Sequence, residues 1–166
     1  MPAEVSSNLA RFDGVRYGPR REGDKMHDLY GATRGTLFGA EVRRRILLGT
    51  YVLSHGYYDA YYNKAIAVRN VIKRELSDAF ATYDAILTPT TPSPAFGIGE
   101  KASDPIAMYL SDLFTVPANI AQVPAISIPS GTTVAGLPIG IQLIGASGAE
   151  ATLFELGKTL ERIRER

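Results

Sequence analysis

Arg45 and Asp112 are the residues whose types and settings allow recognition chemistry. Arg45 closes the run Glu41-Val42-Arg43-Arg44-Arg45-Ile46, in which three guanidinium groups look equivalent. On a helix each residue advances by about 100°, so the three point apart. Measured from Val42, Arg45 falls near 300°, beside Val52 at about 280° and Gly49 at about 340°, whereas Arg44 points to roughly 200°. Only Arg45 borders the apolar stripe. A guanidinium there can hold a carboxylate through two parallel hydrogen bonds, and the small Gly49 leaves room beside it. The competing reading is an Arg that lays its stem along the stripe and pairs with a carboxylate of the same protein.

Asp112 is the last charge before a long apolar stretch. Thirty-seven consecutive residues, Leu113 to Ala149, contain no Asp, Glu, Lys or Arg. A membrane span needs ~20 predominantly apolar residues in one helix. Here Pro117, Pro124, Pro129, Gly131, Gly136, Pro138, Gly140 and Gly145 break the stretch repeatedly, so it is expected to be buried in protein. A carboxylate at the entrance to such a region needs a cation or a bound ligand to offset its desolvation. It can equally make a structural ion pair or accept from nearby backbone N–H groups. An Arg and an Asp facing one pocket would match the carboxylate and ammonium of a free amino acid, but spacing alone does not bring these two together.

Other polar and aromatic groups point to packing more than to chemistry. Tyr57, Tyr58, Tyr61 and Tyr62 form two pairs at four-residue spacing, suited to core or interface packing, or to lining a substrate pocket. Gln142 is polar inside an apolar strand, so its amide should find partners and tie the sheet together. Ser54, His55 and Asp59 have the residue types of a nucleophile, base and orienter, yet such a triad is defined by geometry that close sequence neighbours rarely supply. Arg69, Lys73 and Arg74 could touch a phosphate backbone, although a solvated helical face explains them more cheaply. No GxxxxGK[ST] segment and no GxGxxG after a strand is present, so nothing here cradles ATP phosphates.

The elements that must position these residues divide near residue 85. Eight of ten prolines follow Thr88, whereas Arg and Tyr concentrate before Asp84. Residues 1–84 form a mainly helical portion and 85–166 a strand-and-helix portion. Val42, Ile46, Gly49, Val52 and Leu53 have amphipathic-helix spacing, with Gly49 and Gly56 marking places where one unbroken helix is doubtful. Tyr61, Ala65, Val68, Ile72, Leu76 and Phe80 predict a second helix packed on the first. Ala85-Ile86-Leu87 predicts a short strand, with a loop from Thr88 to Pro94. Asp104 and Pro105 have the types of an N-cap and first helical residue, opening a helix through Met108, Tyr109 and Leu113 with Asp112 near its end. Ala125-Ile126-Ser127-Ile128 and Ile139 to Ile144 predict strands joined through Gly131–Gly136. Ala151, Phe154, Leu156, Leu160 and Ile163 predict a closing surface helix with one apolar face.

Composition bounds the classes. A chain of 166 residues suffices for one domain with a core. Eighteen basic and 17 acidic residues give a net charge of +1, so there is no global attraction to nucleic acid or anionic membrane. Absence of Cys excludes disulfides and thiolate metal sites, and two His make a conventional metal cluster improbable. Met1 to Ala10 lacks the basic-then-apolar organisation of a secretory signal. A cytoplasmic protein without membrane contact or metal is expected.

Three segments carry a family resemblance: Ser7-Asn8-Leu9-Ala10-Arg11-Phe12-Asp13-Gly14-Val15-Arg16-Tyr17-Gly18, Gly56-Tyr57-Tyr58-Asp59-Ala60-Tyr61-Tyr62, and Phe114 through Pro129. With Leu137-Pro138-Ile139-Gly140-Ile141-Gln142-Leu143-Ile144-Gly145 they resemble the amidase-signature family. Within it they are most similar to the branch of A subunits of glutamine-dependent aspartyl/glutamyl-tRNA amidotransferases. The resemblance implies the C-terminal part of an α/β amidase-signature fold, a mixed sheet with helices on both faces.

It also implies a subunit that hydrolyses glutamine to ammonia. B and C partner subunits then use the ammonia, with ATP and magnesium at the partner, to amidate Glu-tRNA(Gln) or Asp-tRNA(Asn), the tRNA being held mainly by B. The family's Ser nucleophile and its Ser and Lys relay belong to motifs absent here, which the missing N-terminal half of the A subunit would supply. The implied roles in this chain are substrate binding: Arg45 on the glutamine α-carboxylate and Asp112 facing its α-amino group, with no catalytic residue. Ser130 stands where the family often has Cys. Another amidase-signature amide hydrolase and a noncatalytic subunit-binding module remain open alternatives.

Overall fold

The computed structural model describes residues 2–164. Packing divides the chain into two compact units, Met1–Ala67 and Val68–Arg166, whereas composition changes later, near residue 85.

The first unit contains α1 (Pro2–Leu9), α2 (Met26–Leu37) and α3 (Ala40–Leu53). A π-helical turn, Tyr58–Asn63, leads into α4 (Lys64–Phe80), which continues into the second unit. The partner of α3 is α1, a helix too short for its apolar spacing to declare itself. Gly49 is buried in α3, and a Cβ there would collide with the Pro2 carbonyl and Ser6 of α1. The space beside Gly49 therefore holds α1, and the expectation that it leaves room for a ligand of Arg45 is corrected. Ser6 Oγ adds a 3.4 Å bond to the Ile46 carbonyl and a 3.3 Å contact to Thr50 Oγ1.

The second helical pattern holds in part: Ile72, Leu76 and Phe80 lie on the half-buried face of α4 as expected, whereas Tyr61 falls in the π-helical turn before α4 begins. Tyr61, Ala65 and Val68 are exposed, and Ile66, Arg69, Ile72, Lys73, Leu76 and Phe80 form the half-buried face.

The second unit is built on three strands, β1 (Ala85–Pro89), β2 (Ala125–Thr132) and β3 (Pro138–Gly145), in the order β1-β3-β2. Both pairings are antiparallel, so these strands form the antiparallel portion of any larger mixed sheet. Thr88 and Pro89 belong to β1 and not to the expected loop. A proline is tolerated because β1 is an edge strand here. Between β2 and β3 the Gly-rich segment forms the expected connection, with a register irregularity between Pro129 and Gly131.

Helix α7 (Glu150–Arg164) covers one face of the sheet. Its inward residues are Leu153, Gly157 and Leu160, at i, i+4 and i+7, packed on Ile126, Ile128, Ile141 and Leu143. Phe154, Leu156 and Ile163, expected on the apolar face, are exposed. The short helices α5 (Pro105–Leu110) and α6 (Val116–Ala121) flank a turn joined to Gln142 on the opposite face of β3. The uncharged stretch is not uniformly buried: Ala118, Ala121, Ile128, Leu143 and Ile144 are, but Leu113 and Val134 are exposed. Among the described residues, no helix is long and apolar enough to cross a membrane.

Candidate substrate-recognition site

Arg45 lies on the half-buried side of α3 and Arg44 on the exposed side, as the angular reading requires. Both reach back to Glu41. Arg45 Nε donates to Oε1 at 2.9 Å and Arg44 Nη1 to Oε2 at 2.6 Å. These are i−4 and i−3 contacts between partly exposed groups, which orient side chains more than they stabilise the fold. Arg45 thus adopts the ion pair of the competing reading. Only its Nε is engaged among the described residues, and the two terminal nitrogens retain donors for a second carboxylate.

Asp112 belongs to the second unit. The N-terminal signal before it works as expected. Asp104 Oδ1 accepts from Ile106 N at 2.9 Å and Ala107 N at 3.0 Å, and Pro105 opens α5. The helix ends earlier than expected, at Leu110. Ser111 Oγ donates to the Ala107 carbonyl at 3.2 Å while Lys101 Nζ donates to Ser111 Oγ at 2.8 Å. Lys101 also lies 4.2 Å from the centroid of the Phe96 ring. Leu113 and Asp112 consequently fall in the turn between α5 and α6.

That turn is braced through its backbone. The Asp112 carbonyl accepts from Thr115 N at 3.1 Å, Val116 N at 3.0 Å and Thr115 Oγ1 at 3.2 Å. Gln142 is buried, and its Nε2 donates to the Phe114 carbonyl at 2.9 Å and to Thr88 Oγ1 at 3.2 Å. The amide therefore finds the partners a buried polar group requires. The carboxylate of Asp112 is exposed and makes no hydrogen bond or ion pair among the described residues. It is available to a cationic ligand.

Past the turn, α6 closes on Gln122 in a left-handed conformation, φ 62°, and Lys73 Nζ donates to its Oε1 at 2.7 Å. Lys73 is thus engaged in packing and not simply on a solvated face. Arg69 Nε is shielded from solvent without a partner among the described residues.

The tyrosines form the expected ring pairs, but Tyr57, Tyr58 and Tyr61 are exposed and not packed in a core. Tyr57 and Tyr61 stack at 6.0 Å between centroids, and Tyr58 and Tyr62 at 4.9 Å. Tyr51 joins from α3, 4.4 Å from Tyr57, and their hydrogen bond together with burial raises the Tyr51 pKa. No triad forms next to them. Ser54 Oγ donates to the Tyr51 carbonyl at 2.6 Å, and Asp59 Oδ1 accepts from Asn63 at 2.6 Å.

Asp13 is the organising group that spacing did not expose. It is 3% exposed, and Oδ1 accepts from Val15 N at 2.8 Å and Arg16 N at 3.0 Å. Oδ2 takes Arg16 Nε at 3.0 Å and the Tyr30 hydroxyl at 3.1 Å, while Arg34 Nε donates to the Asp13 carbonyl at 2.8 Å. The backbone N–H of Arg16, then that of Val15, holds the carboxyl well below the usual carboxylate range against the opposing effect of burial. The local signal is Asp-Gly, an Asp able to accept from backbone N–H groups two and three residues ahead.

The unpartnered carboxylate on a braced turn of the second unit and, in the first unit, the Arg fork with free donors are the binding features of this chain. Residues 1–154 match the Amidase family model, and the chain belongs to this family. It is 60% identical over 162 residues to the A subunit of the glutamyl-tRNA(Gln) amidotransferase of Azorhizobium caulinodans, covering 96% of this chain and 33% of that protein. The crystal structure of the corresponding A subunit of the glutamyl-tRNA(Gln) amidotransferase of Thermotoga maritima matches with 51% identity and a TM-score of 0.57. That match covers 77% of this chain and 28% of the Thermotoga chain. A crystal structure of an amidase aligns with 97% of this chain and 35% of its own, with 25% identity and a TM-score of 0.64. The chain spans about a third of the length of the curated relatives it matches.

Proposed function

We propose that this chain is the glutamine-recognition part of a glutaminase A subunit that supplies ammonia for tRNA-dependent amidation. The observation that carries the reading is the Asp112 carboxylate, exposed and unengaged on a turn whose backbone is fixed. Such a group meets an α-ammonium without first breaking an internal ion pair. In the first unit, Arg45 offers its terminal nitrogens to the α-carboxylate, with Glu41 holding Nε and limiting side-chain rotation. A charge-assisted bond to the α-ammonium would select glutamine over simple amides, which lack that group.

The nucleophilic Ser and the Ser and Lys relay come from the segment that precedes these residues in the relatives. This chain alone therefore binds without hydrolysing. Ammonia passes to B and C partner subunits in the cytoplasm, where ATP and magnesium belong to the partner's reaction and tRNA is held mainly by B.

The test is completion of the subunit. The N-terminal two-thirds of the Azorhizobium relative is fused to this chain, and ammonia release from glutamine is compared with release by this chain alone. Glutaminase activity in the fusion and none in the chain alone is expected. Faster turnover of neutral aliphatic or aryl amides than of glutamine would instead indicate another amidase. Saturable binding to B or C with no amide hydrolysis would indicate a noncatalytic docking module.

A further inference from the structure

We propose that Gln142 is a positioning residue for Asp112, fixing to the central strand the turn that presents this carboxylate. The inference rests on the reading of Asp112 as the group facing the substrate's α-ammonium. β3 lies between β1 and β2, and Gln142 stands opposite Thr88 on one side and Ser127 on the other. Its sequence neighbours Ile141, Leu143 and Ile144 are apolar. A buried amide in their midst is costly unless its polar atoms are paired. A Leu or Met would fill the volume without that requirement, so the polar choice calls for a bond that packing does not provide.

The bond to Phe114 meets that requirement. Phe114 is two residues beyond Asp112 in the same turn, and its carbonyl accepts from Gln142 Nε2 at 2.9 Å. Within the turn, Thr115 and Val116 close on the Asp112 carbonyl. The sequence of attachments runs from sheet to Gln142, to the Phe114 carbonyl, and through two residues of tightly bonded backbone to Asp112. Since the carboxylate has no hydrogen bond of its own among the described residues, its placement depends on that backbone. Loss of the Gln142 donor leaves the Phe114 carbonyl unsatisfied, and the turn rotates to seek another donor.

Thr88 supplies the control. Gln142 also bonds Thr88 Oγ1 at 3.2 Å, a link between strands that does not reach the turn. Thr88→Val removes this link alone, whereas Gln142→Met removes both. Gln142→Glu keeps the shape, and its carboxylate can accept from the Thr88 hydroxyl but cannot donate to Phe114.

The experiment compares two substrates of the completed subunit: glutamine, and glutaramate, which is glutamine without its amino group. Gln142→Met is expected to raise KM for glutamine about 5- to 20-fold, the scale of one mis-set charge-assisted hydrogen bond. kcat/KM for glutaramate is expected to stay within about 2-fold, because that substrate has no ammonium for Asp112 to meet. Gln142→Glu is expected to follow Gln142→Met and keeps the test decisive should the Met variant fail to fold. Thr88→Val is expected to lower thermal stability without moving either kinetic value. Equal losses for both substrates, or equal kinetic effects of Thr88→Val and Gln142→Met, would overturn the positioning role. Asp112→Asn separates the two claims. If it raises the glutamine KM and the Gln142 variants do not, the positioning inference alone fails; if Asp112→Asn has no effect, the reading beneath it fails.

Discussion

Gly49→Ala sets two effects of opposite sign against each other. In a helix interior, Ala is favoured over Gly by about 1 kcal/mol, so propensity alone would make α3 more stable. The new Cβ, however, meets the Pro2 carbonyl and Ser6 across the α1–α3 contact. Backbone cannot yield as a flexible side chain does, and overpacking of this kind costs about 1–3 kcal/mol. If α1 swings away instead, the Ser6 contacts to Ile46 and Thr50 are lost, each worth about 0.5–1.5 kcal/mol and less where exposed. The burial of Ala3, only 4% exposed, is lost with them. A net destabilisation of about 1–2 kcal/mol is therefore expected. Urea unfolding of the 166-residue chain, followed by circular dichroism, measures it. In a chain shortened to begin at Arg11 the collision is gone, and the same change should stabilise by up to ~1 kcal/mol. Stabilisation of the 166-residue chain by Gly49→Ala would refute the close packing of α1 on α3.

Other consequences are as direct. Leu153→Ala, at a position 2% exposed against Ile128 and Leu143, should cost about 2–5 kcal/mol in urea unfolding, while Phe154→Ala on the exposed side should cost far less. The Asp13 carboxyl has a folded pKa below its ordinary value of 3.8, so its contribution to stability is present above that value and lost as pH falls through the folded one. Asp13→Asn should therefore lower stability at pH 6 and narrow its deficit towards pH 2. The same deficit at both values would contradict the assigned hydrogen bonds. In the completed subunit, Arg45→Ala should raise the glutamine KM by about 10-fold or more if its terminal nitrogens hold the α-carboxylate. An unchanged KM would leave Arg45 with only its Glu41 pair.

The strands and α3 were legible because their signals are local. Apolar runs at Ala85, Ala125 and Ile139 become strands, and the Asp104-Pro105 start opens α5. Arg45 was correctly set apart from Arg44 by helical angle alone. Facing was less legible. In α7 the inward residues proved to be Leu153 and Gly157, because a glycine lets the helix approach Ile126 and Ile128 and leaves Phe154 outside. In α4 the expected face holds at Ile72, Leu76 and Phe80 but not at Ala65 and Val68 in its first turns, which are exposed. The need of Gln142 for partners could be read from its apolar neighbours, but its bond to Phe114 is set by tertiary packing across 28 positions. The same limit hid α1 behind Gly49, where a small residue marked an approaching helix and not a vacant pocket.

The most direct test of glutamine recognition is the preference of the completed subunit for glutamine over glutaramate, measured as a ratio of kcat/KM with Asp112 and with Asp112→Asn. A charge-assisted bond to the α-ammonium is worth about 1.5–3 kcal/mol, so the substitution should lower that ratio about 10- to 100-fold through loss of glutamine turnover, with glutaramate little affected. A ratio unchanged by Asp112→Asn would contradict recognition of the amino group by this residue and remove the main support for the proposed function.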